Sequence, residues 1–419
     1  MLEAVSEYWL TWLGVAGVVV LVWVAAVLSK YVRLLLNIVR ERPGIPGVAA
    51  TEGLRAIGDE VTFRALDGTR LRGMFVRQCA GRAPQTQADG GRGEDWLDAR
   101  TRGVVIYCHE YGSDMHGCVR YCRGLLEAGF AVFTFDFRGH GKSANLRDYL
   151  PRFWCTDKEV SDCLGAVGFV RAVMEARGLD LNIGLLGLSR GACAAVLTAA
   201  QVDGEAKVTA VLADGAFSTD TTLEWSMKRW VSVFAKVRFV YENHRPWFWR
   251  FLRWLVLRSA RACFKCRFPS VRKEVGALKQ TAVCFVHGER DSFIGFDQAE
   301  RLFSLVSPPR YLWIVPGARH NQSVTTEPEL YAKRVVAFFA RHVAGVCQAE
   351  LAMEGDFETG VSEFFDSNDA VVTSHQEQKR YEHVGKNDRL LCGPAGKTQI
   401  KTVPEATESL PADAESAAR

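Results

Sequence analysis

No glycine-rich dinucleotide fingerprint occurs in the 419 residues, which sets aside an oxidoreductase of the nucleotide-cofactor kind. The Cys263/Cys266 pair lacks a second Cys or His pair at a zinc-like spacing, so no metal site is expected. Twelve cysteines are present, yet they form no disulfide framework. Cys108, Cys155, Cys193 and Cys284 lie in or beside apolar runs, where a free thiol packs as a small hydrophobe in a reducing compartment. With 48% hydrophobic and 24% charged residues, the composition excludes wholesale disorder, collagen-like repeats and a multi-span membrane protein. None of these patterns calls for a cofactor.

Charge is missing from one stretch altogether. Tyr8 to Ser29 carries none, and as a helix these residues would extend ~33 Å against a hydrocarbon core of ~30 Å. Tyr8, Trp9 and Trp12 at one end, with Trp23 and Tyr31 towards the other, suit interfacial aromatic belts. Glu3 and Glu7 precede the stretch and Lys30, Arg33, Arg40 and Arg42 follow it, so the positive-inside rule places the C-terminal flank in the cytoplasm. A cleaved signal peptide would carry a basic leader and a small-residue cleavage site, and neither is visible. The expectation is a single-pass membrane protein with an N-terminal segment over residues 1–42, its transmembrane helix at about 8–29, and a linker over 43–58.

Acids are nearly missing from another stretch. Lys228 to Lys273 holds thirteen Lys or Arg and one acid, Glu242, so the formal net charge of +4 hides a basic block set against an acidic remainder. Trp225, Trp230, Trp247, Trp249 and Trp254 interleave with these bases. A helical cap whose aromatics pack on a core and a face that touches anionic lipid are both open readings. No nucleic-acid-binding module accompanies the charge, so no nucleic-acid partner is expected.

The remaining pattern is that of a sheet. Glu60 to Ala65 alternates, turns at Asp67-Gly68 and returns from Leu71 to Val76 as a hairpin. Residues 80–101 read as a surface insertion. Six short apolar runs follow, at Val104–Tyr107, Ala131–Phe135, Ile183–Leu186, Val208–Leu212, Ala282–Val286 and Tyr311–Val315, with helix-like stretches between many of them. The clearest helix begins near Asp157 behind a Thr156/Glu159 capping box and ends before Gly178. This rhythm predicts an α/β fold, a mostly parallel sheet with helices on both faces and ligands at the carboxyl ends of its strands. Tyr331 to Val343 reads as the last helix, and the acidic stretch over 346–419 as a flexible tail.

Gly187-Leu188-Ser189-Arg190-Gly191 sits between a strand and a small-residue helix, the strand–turn–helix context that gives G-x-S-x-G its meaning. A serine hydroxyl needs a base within hydrogen-bond reach and a carboxylate to orient that base. Asp291 and His320 follow in that order, each on a loop beyond a later strand; Asp214, at the end of the preceding strand, is the rival acid. Together with Asp136-Phe137-Arg138-Gly139-His140-Gly141-Lys142-Ser143, these blocks make the chain from about Glu60 to Val343 resemble the α/β-hydrolase superfamily in its serine-hydrolase branch.

The resemblance implies the α/β-hydrolase fold, with a core over 59–216 and 276–345 and a cap or lid inserted over 217–275. It implies Ser189 as nucleophile, His320 as base and Asp291 as its orienting acid. It places His109-Glu110-Tyr111-Gly112 at the oxyanion loop, with the Tyr111 and Arg190 amides as donors; Glu110 stands where glycine is usual. The expected activity is hydrolysis of a carboxylic ester or thioester of a small-molecule or lipid-like acyl substrate at the membrane. An acyltransferase using the same triad and a catalytically idle fold serving as a membrane platform are the alternatives. His109, His140 and His287 read as structural, as do Asp136 and Arg138.

Overall fold

A computed structural model of the chain describes residues 2–40, 55–80, 97–234, 244–307, 309–346 and 369–372. Most of the 43–58 linker, the 80–101 insertion and the tail lie outside the described residues, as does part of the cap.

Strand β1 (Arg55–Arg64) pairs antiparallel with β2 (Arg70–Ala80) across the Asp67-Gly68 turn, where Gly68 takes a φ of +85° that only glycine adopts without strain. β2 pairs antiparallel with β4 (Ala131–Phe135). From there the sheet is parallel: β4, β3 (Val104–Cys108), β5 (Ile183–Leu188), β6 (Val208–Asp214), β7 (Ala282–Gly288), β8 (Arg310–Val315) and β9 (Asp369–Val372) lie side by side. β3, β4, β5 and β7 are buried along their whole length. That is why they read as unbroken apolar runs rather than alternations.

Alternate residues of these strands feed two cores. Val104, Ile106 and Cys108 pack with α3 (Asp157–Ala176) and α4 (Arg190–Gln201) on one face. Val105 and Tyr107 pack with α2 (Val119–Glu127) and α8 (Pro328–His342) on the other. α3 starts at the anticipated box: the Thr156 hydroxyl accepts from the Lys158 amide, and Glu159 accepts from the Thr156 amide at 2.8 Å.

Two helices, α5 (Thr219–Phe234) and α6 (Pro246–Phe264), interrupt the alternation after β6 and form a cap-like insertion. Asp220 ties the beginning of this insertion to its end, accepting from Ser218 at 2.6 Å, Ser270 at 2.9 Å and Arg272 at 2.9 Å. Proline at the first turn of α6 and Lys265 in the left-handed region at its end bound that helix. The short helix α7 (Asp297–Phe303) fills the β7 to β8 connection.

The structure differs from the sequence expectation in two places. The N-terminal helix α1 runs over Leu2–Arg40, well past Ser29. Its apolar stripe continues through Val32, Leu35 and Val39, which are buried against the cap side of the core, and the Trp154 indole donates to the Ile38 carbonyl at 3.3 Å. One piece of the segment expected to be a flexible tail, Asp369–Val372, lies as an edge strand on β8. Its Ala-Val-Val run has the β-branched character that such an edge accepts.

Candidate active site

Ser189 occupies the turn between β5 and α4 with φ +50° and ψ −113°. This conformation is costly for a non-glycine residue and persists only where the surroundings hold it. Here the surroundings are glycines and one backbone bond. A Cβ on Gly187 would lie 2.5 Å from Ala192 Cα, and one on Gly191 would lie 2.2 Å from the Cys108 carbonyl oxygen, so neither position admits a side chain. The Ser189 amide donates to the Asp214 carbonyl at 2.7 Å, pinning the turn to the end of β6.

The Ser189 hydroxyl lies 2.9 Å from His320 Nε2, and His320 Nδ1 lies 2.6 Å from Asp291 Oδ2. All three side chains are buried. The loops carrying the last two meet because Gly288, at the end of β7, lets the Ala318 carbonyl approach to within 2.5 Å of where a Cβ would stand. Asp291 Oδ1 accepts from the amides of Phe293 and Ile294, each at 2.9 Å. Behind it, His287 Nε2 stands 3.3 Å from Asp291 Oδ2 and 2.8 Å from the Ile294 carbonyl. Burial alone would raise the Asp291 pKa, but the hydrogen bonds to His287 and His320 outweigh it and hold the carboxyl well below the usual carboxylate range.

Asp214 takes a different part. Its carboxylate accepts from the Ser323 hydroxyl at 3.1 Å, and burial pushes its pKa up to about 6. His320 Nδ1 turns to Asp291 instead.

The Tyr111 and Arg190 backbones stand on the two sides of one close approach. Gly191, in the first turn of α4, packs on the carbonyls of Cys108 and His109, which brings the start of that helix against the loop leading to Tyr111. The first amides of a helix have no partner within it and point outward as anion donors. His109 holds the loop: Nε2 accepts from the Phe137 amide at 3.1 Å and Nδ1 donates to the Glu110 carbonyl at 2.7 Å, a tautomer assigned from these partners. Burial keeps this imidazole neutral, well below the ordinary histidine range. Glu110 is buried, within 3.4 Å of the Tyr107 hydroxyl, and burial raises its pKa.

Several site residues carry no signal in the sequence. The Arg190 side chain is fully buried beneath the elbow, donates to the Arg152 carbonyl at 3.0 Å, approaches Glu159 at 3.6 Å and lies 5.3 Å from the Tyr111 ring centre. Glu159 also accepts from the hydroxyls of Thr156 and Tyr149. Phe153 stacks on Phe217 at 5.5 Å, and Phe153 and Phe293 each pack within 6.4 Å of the His320 ring. Apart from the Glu159 contacts with Thr156 and Tyr149, these partners are dozens of residues apart in the chain, so no local pattern announces them.

A strained serine between a parallel strand and a helix, with a histidine and a carboxylate brought in from later strand ends, is the arrangement that the α/β-hydrolase fold hosts. The family model described as "Hydrolase_4: Serine aminopeptidase, S33" matches residues 99–245. The uncharacterized protein YfhR of Escherichia coli O157:H7 is 22% identical over 281 residues, spanning 67% of this chain and 80% of that one. The uncharacterized protein YqkD of Bacillus subtilis strain 168 is 25% identical over 243 residues, 57% of this chain and 71% of its own. Among solved structures, the esterase Pf2001 of Pyrococcus furiosus is 20% identical with a TM-score of 0.47, covering 72% of this chain and 97% of that one. The fold is that of the α/β-hydrolases, and over residues 99–245 the chain matches a serine-hydrolase family model.

Proposed function

We propose that the chain is a membrane-tethered serine hydrolase that cleaves a carboxylic ester or thioester through an acyl-enzyme on Ser189. The hydrogen-bonded run from Ser189 through His320 to Asp291, at 2.9 and 2.6 Å, carries this reading. In the proposed cycle His320 takes the Ser189 proton as Oγ attacks the acyl carbonyl, and Asp291 fixes the imidazole tautomer. The developing oxyanion is held by the Tyr111 and Arg190 amides. His320 then returns the proton to the leaving alcohol or thiol, and water releases the acid by the same steps in reverse order of roles. Phe153, Phe217 and Phe293 offer an apolar wall to the acyl group.

In this arrangement residues 59–216 and 276–345 form the catalytic core and 217–275 its cap. α1 includes a candidate span, Thr11–Arg40, whose most apolar 18-residue window has a mean hydropathy of 2.4, and it anchors the core from its N-terminal side. The basic flank from Lys30 onward favours a cytoplasmic catalytic domain.

The direct test is labelling of the full chain with a fluorophosphonate probe. The expected outcome is one adduct on Ser189, suppressed by a long-chain acyl thioester. An unreactive Ser189 in a folded chain would sink the proposal.

A pH profile supplies a second test. The folded-state pKa of Asp291 lies below its ordinary 3.8, so its stabilising charge is fully present above about pH 4 and lost only as pH falls through the depressed value. Asp291 is therefore expected to add no proton uptake to the kcat/KM profile between pH 6 and pH 4. A fall in kcat/KM over that range that is less steep in Asp291→Asn would show that the carboxyl takes up a proton there.

A further inference from the structure

The basic block of the cap has no place in the proposed cycle, and its geometry is specific. Trp247, Phe251, Trp254, Arg258 and Arg261 follow one another on α6 at steps of four, three, four and three, which places all five on one face of the helix. The opposite face, through Trp249, Leu252, Val256, Ala260 and Phe264, is buried in the core. Trp247 and Trp254 are 59% and 54% exposed, so the stripe consists of unburied aromatics at one end and arginines at the other.

Beside the arginine end lies an open groove of about 910 Å³, with Arg253, Arg258, Arg261, Arg267 and Lys273 in its lining. Arg253 is engaged by Glu224 at 2.8 Å. The one lining acid, Asp220, is engaged by Ser218, Ser270 and Arg272. Among the described residues, none of Arg258, Arg261, Arg267 and Lys273 is ion-paired, so four cations converge on the groove without a counter-charge. Clustered like charges repel one another, and an anion in their midst relieves that cost.

The position of α1 says which anion is near. The uncharged stretch ends at Ser29 and α1 continues without a break, so Val32 lies about 4.5 Å and Val39 about 15 Å beyond that end. α1 packs directly on α6, and Val32 and Val39 share the buried core with Trp249, Leu252, Val256 and Ala260, so the helix bearing the stripe is held beside the segment of α1 that leaves a bilayer spanned by its uncharged stretch. Exposed tryptophans beside arginines at that depth are the composition of an interfacial face.

We propose that this face is a lipid-headgroup site: Arg258 and Arg261, with Arg267 and Lys273 across the groove, hold the phosphate of an anionic phospholipid of the bilayer that α1 spans. Trp247, Phe251 and Trp254 lie at the interface beside it. The inference rests on the membrane reading of α1 and is independent of the triad. Binding is read without turnover, so failure here and failure of the hydrolase reading are distinguishable.

The test uses the full chain in a non-ionic detergent, titrated by thermophoresis with four probes: dihexanoyl phosphatidylglycerol, dihexanoyl phosphatidylcholine, inorganic phosphate and a short polyglutamate peptide. The anionic lipid is expected to bind at least ~10-fold more tightly than each of the others, since each basic residue near such a surface adds to the attraction. The Arg258→Glu/Arg261→Glu/Lys273→Glu variant should lose at least ~10-fold of that affinity with its melting midpoint retained. The charge-keeping Arg258→Lys/Arg261→Lys variant should stay within ~3-fold of the parent. Equal binding of the two lipids, or an affinity unmoved by charge reversal, would overturn the proposal. Inorganic phosphate binding as tightly as the anionic lipid would assign the groove to a soluble anion, and tighter binding of polyglutamate would assign it to an acidic protein segment; either result also overturns it.

Discussion

Replacing Ser189 by alanine is expected to lower turnover of a simple acyl ester by at least ~10³-fold, and His320→Ala to do the same. The two losses should not multiply. The hydroxyl and the imidazole are joined by one hydrogen bond of 2.9 Å and act in one proton transfer, so the double variant is expected to be about as slow as either single one. Folding should survive both changes, because the strained turn is held by Gly187, Gly191 and the Ser189 amide rather than by the hydroxyl. The measurement is kcat on a chromogenic ester with melting midpoints alongside. A Ser189→Ala chain that keeps the parental rate would show that hydrolysis runs elsewhere.

Arg138→Met is expected to destabilise the fold by ~3–5 kcal/mol without touching the reacting atoms. Arg138 is almost completely buried and donates to Asp162 through Nε at 2.8 Å and Nη2 at 2.5 Å, while its two terminal nitrogens reach Asp67 at 2.7 and 3.0 Å. The Arg138 amide also donates to Asp162 at 2.9 Å, so the carboxylate locks the loop after β4 onto α3, and Asp67 adds the hairpin turn. Removing only the guanidinium leaves the Asp162 charge in an apolar interior with little to compensate it. Replacing both partners, as in Arg138→Met/Asp162→Leu, should recover part of the loss, since a buried ion pair is often worth no more than well-packed apolar groups. Urea unfolding of the two variants decides the matter. A single variant as stable as the parent would mean that Asp162, whose pKa burial already pushes up to about 7, takes up a proton once the guanidinium is gone.

The strand–turn–helix around Ser189 was legible because its geometry is local: two glycines, a serine and a run of small residues specify it within a dozen positions. Asp291 and His320 were legible for a weaker reason, their order and their places beyond strand ends. The support behind them was not. His287 behind Asp291, the Arg190 guanidinium under the elbow and the Phe153 stack on Phe217 join residues that only the sheet brings together. Sequence gave Arg190 a backbone role at the head of α4 and was silent on its side chain, whose partners Arg152 and Glu159 lie more than thirty residues upstream. The same limit applies to α1. Hydropathy marked the uncharged stretch, whereas the docking of Val32, Leu35 and Val39 depended on a surface made mostly by the cap. β9 was hidden in an acidic stretch whose composition outweighed its four residues.

The unbroken run of α1 from Leu2 to Arg40 leaves no swivel between the uncharged stretch and the buried stripe. With the helix seated in a bilayer, the enzyme's heading about the membrane normal is tied to helical phase. Each residue inserted between Lys30 and Val32 would turn the domain by about 100°, and seven would bring it almost back to its starting azimuth, about 10 Å further from the lipid. Spacer length in this segment is therefore an angular coordinate as well as a distance. It sets whether the mouth of the site looks along the membrane plane or away from it.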